Sequence, residues 1–461
     1  MEKRSLKFVA ETCAARLKRG SADTFVHRTC TDSRQAQAGD LFFAIQGENF
    51  DGHDFLREVA AKGAAAVVIR RKKIPAPPPE CAVLEVDDPR AALGRFAAAY
   101  RREFDLPVVC VAGSNGKTTV KELIASALRR NRATLWSEAS FNNDIGVPLT
   151  LLRLENSHQA AVLEAGTNHP GELAPLVRMI QPKYGVLTNI GREHLEFFGD
   201  VAGVAREEGA LAELLPADGR LFVSGDNEWT EEIIRRACAG PVRVGLGERN
   251  DWRAKRIRPD KNGVTFRVDA PKMDWNGEYR VNLLGRHQVI NALLAIAVSE
   301  ELGLGSPAVR DGLAGCRPAK MRLQFWEAGG VRVLDDTYNA NADSVLAALE
   351  TLCDLPLQGR RVAVLGDMNE LGAHSEAAHA EVGRRAAELG IGQLFAVGKM
   401  APVTARAARD AGLARVIEFA DVEAAVNAVR SFLKTGDVVL LKASRAVRLE
   451  RIAETLRAAK S

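Results

Sequence analysis

The run Gly113-Ser114-Asn115-Gly116-Lys117-Thr118-Thr119 holds the residue types that grip a polyphosphate. Gly113 and Gly116 let backbone N–H groups turn inward and approach an anion closely. Lys117 supplies a positive charge, and the Thr118 hydroxyl suits a metal ion bound to the same phosphates. Just before it, Val108-Val109-Cys110-Val111-Ala112 is an apolar, β-branched run suited to a parallel strand covered on both faces. Just after it, a helix is predicted over residues 120–130, its positive dipole end aimed at the same spot. Strand, glycine turn and helix make a phosphate cradle. The full phosphate-loop pattern has a further glycine where Val111 stands, so this loop is a shortened form. The plain alternative is an ordinary glycine-rich turn. A Gly-Lys-Thr string set between a strand and a helix argues against it.

The elements that follow place more polar groups at strand ends. Ala160-Ala161-Val162-Leu163 predicts a strand running into Glu164. A carboxylate at the carboxyl end of a buried strand in such a domain commonly lies near the metal. A strand over 184–187 ends in Thr188-Asn189-Ile190-Gly191-Arg192-Glu193-His194. Strand ends on one edge of a parallel sheet converge, so Lys117, Glu164 and His194 are expected to share a crevice. Residues 255–283 switch to an antiparallel, strand-rich pattern. His287 and Asn291 then open an apolar helix, four apart and on one face. There they can present donors and acceptors to a base, or simply form a hydrogen-bond network at the helix start.

The expected fold class is α/β in three domains. A small N-terminal α/β domain covers 1–104, a central P-loop-type domain with a mostly parallel sheet covers 105–315, and a C-terminal Rossmann-like α/β domain covers 316–461. In the first, Thr31-Asp32-Ser33-Arg34 precedes a short buried strand, and Gly47-Glu48-Asn49-Phe50-Asp51-Gly52-His53-Asp54-Phe55 is a polar, glycine-punctuated loop. Taken alone, His53 reads as a structural loop histidine. Pro75-Ala76-Pro77-Pro78-Pro79 reads as an exposed extended segment. In the third, predicted strands end in Asp335-Asp336-Thr337-Tyr338-Asn339-Ala340-Asn341, in Gly366-Asp367-Met368-Asn369-Glu370-Leu371-Gly372 and in Lys442-Ala443-Ser444-Arg445. In an open parallel sheet those are the ligand-binding ends.

Composition excludes several classes. The 461 residues carry 63 basic and 59 acidic side chains, a near balance that leaves no electrostatic footprint for nucleic acid. The seven cysteines are scattered, with no CxxC pair, so neither a disulfide framework nor a zinc cluster is expected, and reduced thiols in a cytoplasm fit best. No apolar run approaches membrane-spanning length, and the charged N-terminus does not read as a signal peptide.

These strings resemble the Mur ligase family, the ATP-dependent amide-forming enzymes of cell-wall precursor synthesis. The likeness runs nearly end to end, and the family's shortened phosphate loop accounts for the missing glycine. Asn142-Asn143-Asp144-Ile145-Gly146-Val147-Pro148 and the strings at 335–341 and 366–372 resemble the branch that adds D-alanyl-D-alanine to UDP-N-acetylmuramoyl-tripeptide. The Asp-Asn-Pro-Arg string of the branch that adds the third residue is absent. The resemblance implies ATP and Mg²⁺ as cofactors and a cytoplasmic monomer. It implies that Ser33, Arg34 and the loop with Gly47, Asp51 and His53 hold the UDP-sugar, and that Asn142 and Asn143 also contact substrate. Lys117 and the amides of Gly113 to Thr119 would hold the ATP phosphates. Thr118 and Glu164 would bind one magnesium ion and His194 a second. His287 and Asn291 would contact adenine, with Asp336 and Arg322 reaching the nucleotide from the third domain. Asn339, Lys442, Ser444 and Arg445 would meet the dipeptide and the acyl phosphate.

Two departures from the family stand out. Its usual carbamylated lysine is replaced by Glu208, within Ala205-Arg206-Glu207-Glu208-Gly209. Glu208 is therefore expected to supply directly the anionic oxygen that carbamylation creates, since hard Mg²⁺ accepts either. The usual glycine before the interdomain arginine is Met321. The alternatives are a Mur-type or folylpolyglutamate-type ligase with another amino acid, and a nucleotide-binding switch that ligates nothing.

Overall fold

Val108–Ala112 is the hub of the central sheet in a computed structural model that describes residues 1–73, 80–356 and 358–458. The Pro75–Pro79 tract lies outside the described residues. From one edge the nine strands run Thr134–Trp136, Ala160–Glu164, Val108–Ala112, Tyr184–Leu187, Arg220–Ser224, Gly240–Gly245, Trp252–Asp260, Gly263–Asp269 and Gly277–Val281. The first seven are joined by parallel pairing, and the last two add antiparallel, as the pattern over 255–283 predicts. The chain leaves Val108–Ala112 on one side and returns on the other. The crevice beyond its carboxyl end is thus a switch point, where such sheets bind ligands.

Alternation along the hub strand explains its burial. Val109 and Val111 face a core that includes Val120 and Leu123 of helix Lys117–Leu128 and Leu293 of helix Gln288–Glu301. Val108, Cys110 and Ala112 face the opposite core. Helix Lys117–Leu128 begins three residues before the predicted start at 120. Its N-cap is Gly116, in the left-handed region at φ 87°, with no side chain to satisfy the first-turn N–H groups. Propensity favours a later start, but a helix that binds an anion can begin without a capping side chain.

The N-terminal five-stranded sheet is parallel except for its edge strand Arg16–Arg19. Helix Pro89–Arg101, capped by Asp88, locks it to the central unit. Tyr100 donates to the Leu154 carbonyl at 2.6 Å, and Arg101 Nε donates to that of Ile180 at 3.1 Å. The C-terminal six-stranded sheet runs Gln324–Ala328, Val331–Asp336, Val438–Lys442, Arg361–Gly366, Gln393–Val397 and Val416–Phe419, with only the first pair antiparallel. Asp336 and Lys442 are register partners at two adjacent carboxyl ends. Among the described residues, no helix is long and apolar enough to cross a membrane.

Candidate active site

The glycine turn after Val108–Ala112 is held from two sides. Gly113 has φ 112°, and its N–H donates to Glu208 Oε2 at 2.7 Å. The N–H groups of Ser114 and Asn115 donate to the carbonyl and side-chain oxygens of Asn189, at 2.8 and 2.7 Å. A Cβ on Gly113 would sit 2.5 Å from Thr188 Oγ1, and one on Gly116 would sit 2.7 Å from Asn291 Oδ1. Both glycines are needed for space as well as for positive φ. Gly113→Ala should displace the turn and raise the KM for ATP about tenfold or more, because it combines a forbidden φ with a backbone clash. Initial rates over an ATP titration check it.

Lys117 lies back along the loop, donating to the carbonyls of Gly113 and Ser114 and lying 3.4 Å from Glu193 Oε2. Burial works against its charge, but Glu193, Glu208 and Glu164 outweigh this and raise its pKa. Glu208 is fully buried. Burial, then the adjacent Glu193 carboxylate, push its pKa up to about 8, against the pull of Lys117 and the Gly113 N–H. Glu164 is held by Asn142, whose Nδ2 donates to Oε1 at 2.9 Å. The Glu164 N–H donates to Ser137 Oγ at 3.1 Å. Thr118 Oγ1 is 3.3 Å from Ser140 Oγ.

Three buried carboxylate oxygens here accept no hydrogen bond: Glu164 Oε2, Glu193 Oε1 and Glu208 Oε1. The cation facing Glu164 Oε2 is Lys121 Nζ at 3.7 Å, itself fully buried. Unpartnered buried carboxyl oxygens, which a cation would hold ionised, are the donor chemistry of a hard divalent metal, so the residues present fit Mg²⁺. Among the described residues, no three His, Cys, Asp or Glu side chains already form a metal-ligand group. His194 in particular pairs through Nδ1 with Glu370 of the C-terminal unit, and its Nε2 is 4.0 Å from Glu193 Oε2.

The expected nucleotide contacts gather on the far side of the loop. His287 Nε2 is 2.9 Å from Gln288 Nε2, and Asn291 Nδ2 donates to Gln288 Oε1 at 2.9 Å. Beside them a cleft is lined by Thr119, Gln288, Pro318, Arg322 and Leu323, among others. The Arg322 guanidinium lies 4.0 Å from the Tyr338 ring centroid. Asp336 is occupied at both oxygens, accepting from the Leu323 N–H at 3.1 Å and Lys442 Nζ at 2.5 Å. Lys442 also donates to the Asn339 carbonyl, and burial lowers its pKa. Ser444 Oγ accepts from the Asn369 N–H, and Arg445 pairs with Glu450 at 3.0 Å.

Matches to family models cover residues 25–101 (Mur ligase family, catalytic domain), 111–299 (Mur ligase middle domain) and 321–445 (Mur ligase, glutamate ligase domain). The UDP-N-acetylmuramoyl-tripeptide–D-alanyl-D-alanine ligase of Escherichia coli strain K12 is 36% identical, over 94% of this chain and 94% of its own. The chain belongs to the Mur ligase family. The Bacillus subtilis strain 168 enzyme with the same name is 33% identical over 99% of both chains. The crystal structure of MurF from Acinetobacter baumannii superposes with a TM-score of 0.90 at 33% identity, over 99% of both chains. MurF ligase from Thermotoga maritima in complex with ADP superposes with a TM-score of 0.80 at 27% identity, over 94% of this chain and 98% of that one.

Within this Mur ligase, local structure takes up several residues expected to bind substrate. Both His53 ring nitrogens are used. Nδ1 lies 2.6 Å from Asp51 Oδ1, and Nε2 accepts from the Arg70 N–H at 2.9 Å. Burial opposes ionisation of Asp51, but bonds from His53 and Lys73 prevail and hold its pKa at about 2. Arg34 folds back on Asp32 as a two-toothed pair, with Nη2–Oδ2 at 2.7 Å. Ser33 is buried, and its carbonyl accepts from Lys62. Gly47 closes the loop through its N–H to the Phe50 carbonyl. Asn143 is used locally, its Oδ1 accepting from the N–H groups of Ile145 and Gly146.

The departure at Met321 has a conformational counterpart. Met321 adopts φ 59°, the left-handed region where glycine is at ease. The sequence pattern points to His194 alone in the segment after Leu187. That segment also brings Asn189, Arg192 and Glu193 to the loop or the unit boundary, and its position at a strand end was the available signal. Lys121, Gln288 and Asn341 were missed too. Asn341 Nδ2 donates to Asn115 Oδ1 at 3.0 Å, across the boundary between units.

Proposed function

We propose that this ligase joins D-alanyl-D-alanine to UDP-N-acetylmuramoyl-tripeptide, with ATP cleaved to ADP and phosphate. The observation that carries the reading is the Asn341–Asn115 bond. It joins the phosphate loop to the segment that follows a C-terminal strand, which supports one shared crevice for ATP and the dipeptide. The names of the relatives above supply the substrates. We assign residues 1–104 to the UDP-sugar, 105–315 to ATP and 316–461 to the dipeptide, in a monomer acting in the cytoplasm.

A carboxylate does not acylate an amine at neutral pH, because oxide is a poor leaving group. Transfer of the ATP γ-phosphoryl group to the tripeptide carboxylate solves this, and the amine then displaces phosphate. Charge spreads over the phosphoryl oxygens during transfer, and Lys117 with the loop N–H groups is placed to meet it. Thr118, Glu164, His194 and Glu208 are the residues we assign to Mg²⁺, which when bound would neutralise phosphate charge. Asn142 and Ser137 keep Glu164 in place. The C-terminal unit closes over the crevice and shields the acyl phosphate from water.

Phosphate release should require ATP, UDP-tripeptide and D-alanyl-D-alanine together. Release that ignores the dipeptide would favour a nucleotide-binding switch. Release driven by a single amino acid on a shorter acceptor would favour a sister ligase.

A further inference from the structure

Arg192 works at the boundary between the central and C-terminal units. Its N–H donates to Asp343 Oδ2 at 2.8 Å, and its guanidinium meets Asp343 Oδ1 through Nε at 2.8 Å and Nη2 at 2.6 Å. Nη1 reaches Glu381 Oε2 at 2.5 Å. Asp343 lies in the first turn of helix Ala342–Asp354, and Glu381 lies midway along Ser375–Glu388. One side chain therefore ties two helices of the C-terminal unit to a loop of the central one. The planar, five-donor fork is the group suited to such a task. Gly191 beside it is a site of close approach, since a Cβ there would lie 2.6 Å from Asp343 Oδ2.

The other face of the same loop is bound to the phosphate turn. Asn189 accepts the N–H groups of Ser114 and Asn115, and the Gly191 N–H donates to Ser114 Oγ at 2.9 Å. Segment 189–192 is thus pinned to the C-terminal unit on one side and holds the turn leading into Gly116 and Lys117 on the other.

We infer that Arg192 is a positioning residue that couples docking of the C-terminal unit to the shape of the phosphate loop. The inference rests on the ATP-dependent reading above. Docking through Asp343 and Glu381 fixes segment 189–192, and that segment fixes the turn. Coupling is reciprocal, so nucleotide binding favours the docked arrangement by the same factor that docking favours nucleotide. An isolated half-exposed ion pair contributes little. Here the guanidinium and a backbone N–H act together on two acids.

The test uses the full chain and the variants Arg192→Ala, Arg192→Lys, Glu381→Gln and Arg192→Ala with Glu381→Gln. Melting temperature, kcat and KM for ATP are measured, with small-angle scattering with and without a non-hydrolysable ATP analogue. Arg192→Ala should melt with the parent, raise the KM for ATP about tenfold and enlarge the radius of gyration until the analogue is added. Arg192→Lys should recover part of the loss, and Glu381→Gln should add nothing once Arg192 is gone. A parental KM and scattering profile in Arg192→Ala overturns the inference. So does a loss that merely follows a lowered melting temperature. If the parent shows no dipeptide-dependent ATP turnover, the ligase reading fails by itself, and analogue affinity with scattering still decides the coupling.

Discussion

Lys117→Ala should abolish formation of the acyl phosphate. Its ammonium is the cation among Glu164, Glu193 and Glu208 whose raised pKa keeps it charged at any working pH. In the proposed reaction it is the side chain assigned to the charge that develops on the γ-phosphoryl oxygens. Pre-organised charge of this kind contributes about 10²- to 10³-fold for a single donor and more where phosphoryl charge is concentrated. A loss of about 10³-fold or more is therefore expected, read by reductive trapping of the acyl phosphate before dipeptide is added. The fold should survive. Lys117 is the first residue of its helix, and its partners Gly113 and Ser114 keep their backbone bonds to Glu208 and Asn189. Persistent ATP-dependent ligation in this variant would contradict the scheme.

The cradle was readable because its signals are local. A β-branched strand, two glycines and a Lys-Thr pair lie within twelve residues, and each acts on its neighbours. Glu164 and Asp336 were readable for a related reason, as polar residues ending apolar strands. What stayed hidden depends on partners far along the chain. Nothing near Glu193 signals that it will face Lys117, because the two meet only when two strands pair in register on either side of a switch point. Asn142 donates to Glu164, a contact that its sequence neighbours do not signal. Asp51, His53 and Arg34 show the converse. Their types suit a ligand, but short-range bonds within the loop take up most of their donors and acceptors, a competition that composition does not reveal. Helix Lys117–Leu128 starts earlier than the pattern indicates, with Gly116 and no side chain at its cap, a start that leaves the first-turn N–H groups free for an anion.

Glu208→Gln is the variant that decides how this chain manages without the family's modified lysine. The amide keeps the shape of the side chain and can still accept from the Gly113 N–H, so the turn should stay in place. What it cannot supply is an anionic Oε1, the oxygen left without a protein partner beside Glu193 and Lys117. Burial and Glu193 hold this carboxyl up to about 8, which marks a position short of positive charge. A divalent cation is the partner that would relieve it. The expected result is a fall of about 10²-fold in ligation with a raised magnesium requirement, because one charged oxygen donor has become neutral. Bicarbonate should change neither the parent nor the variant, since no lysine needs carbamylation. An undiminished rate would remove Glu208 from the metal shell. Bicarbonate-dependent activity in the parent would point instead to a modified lysine elsewhere in the crevice. Lys121 is the one to examine first, buried beside Glu164 and 3.7 Å from its orphaned oxygen.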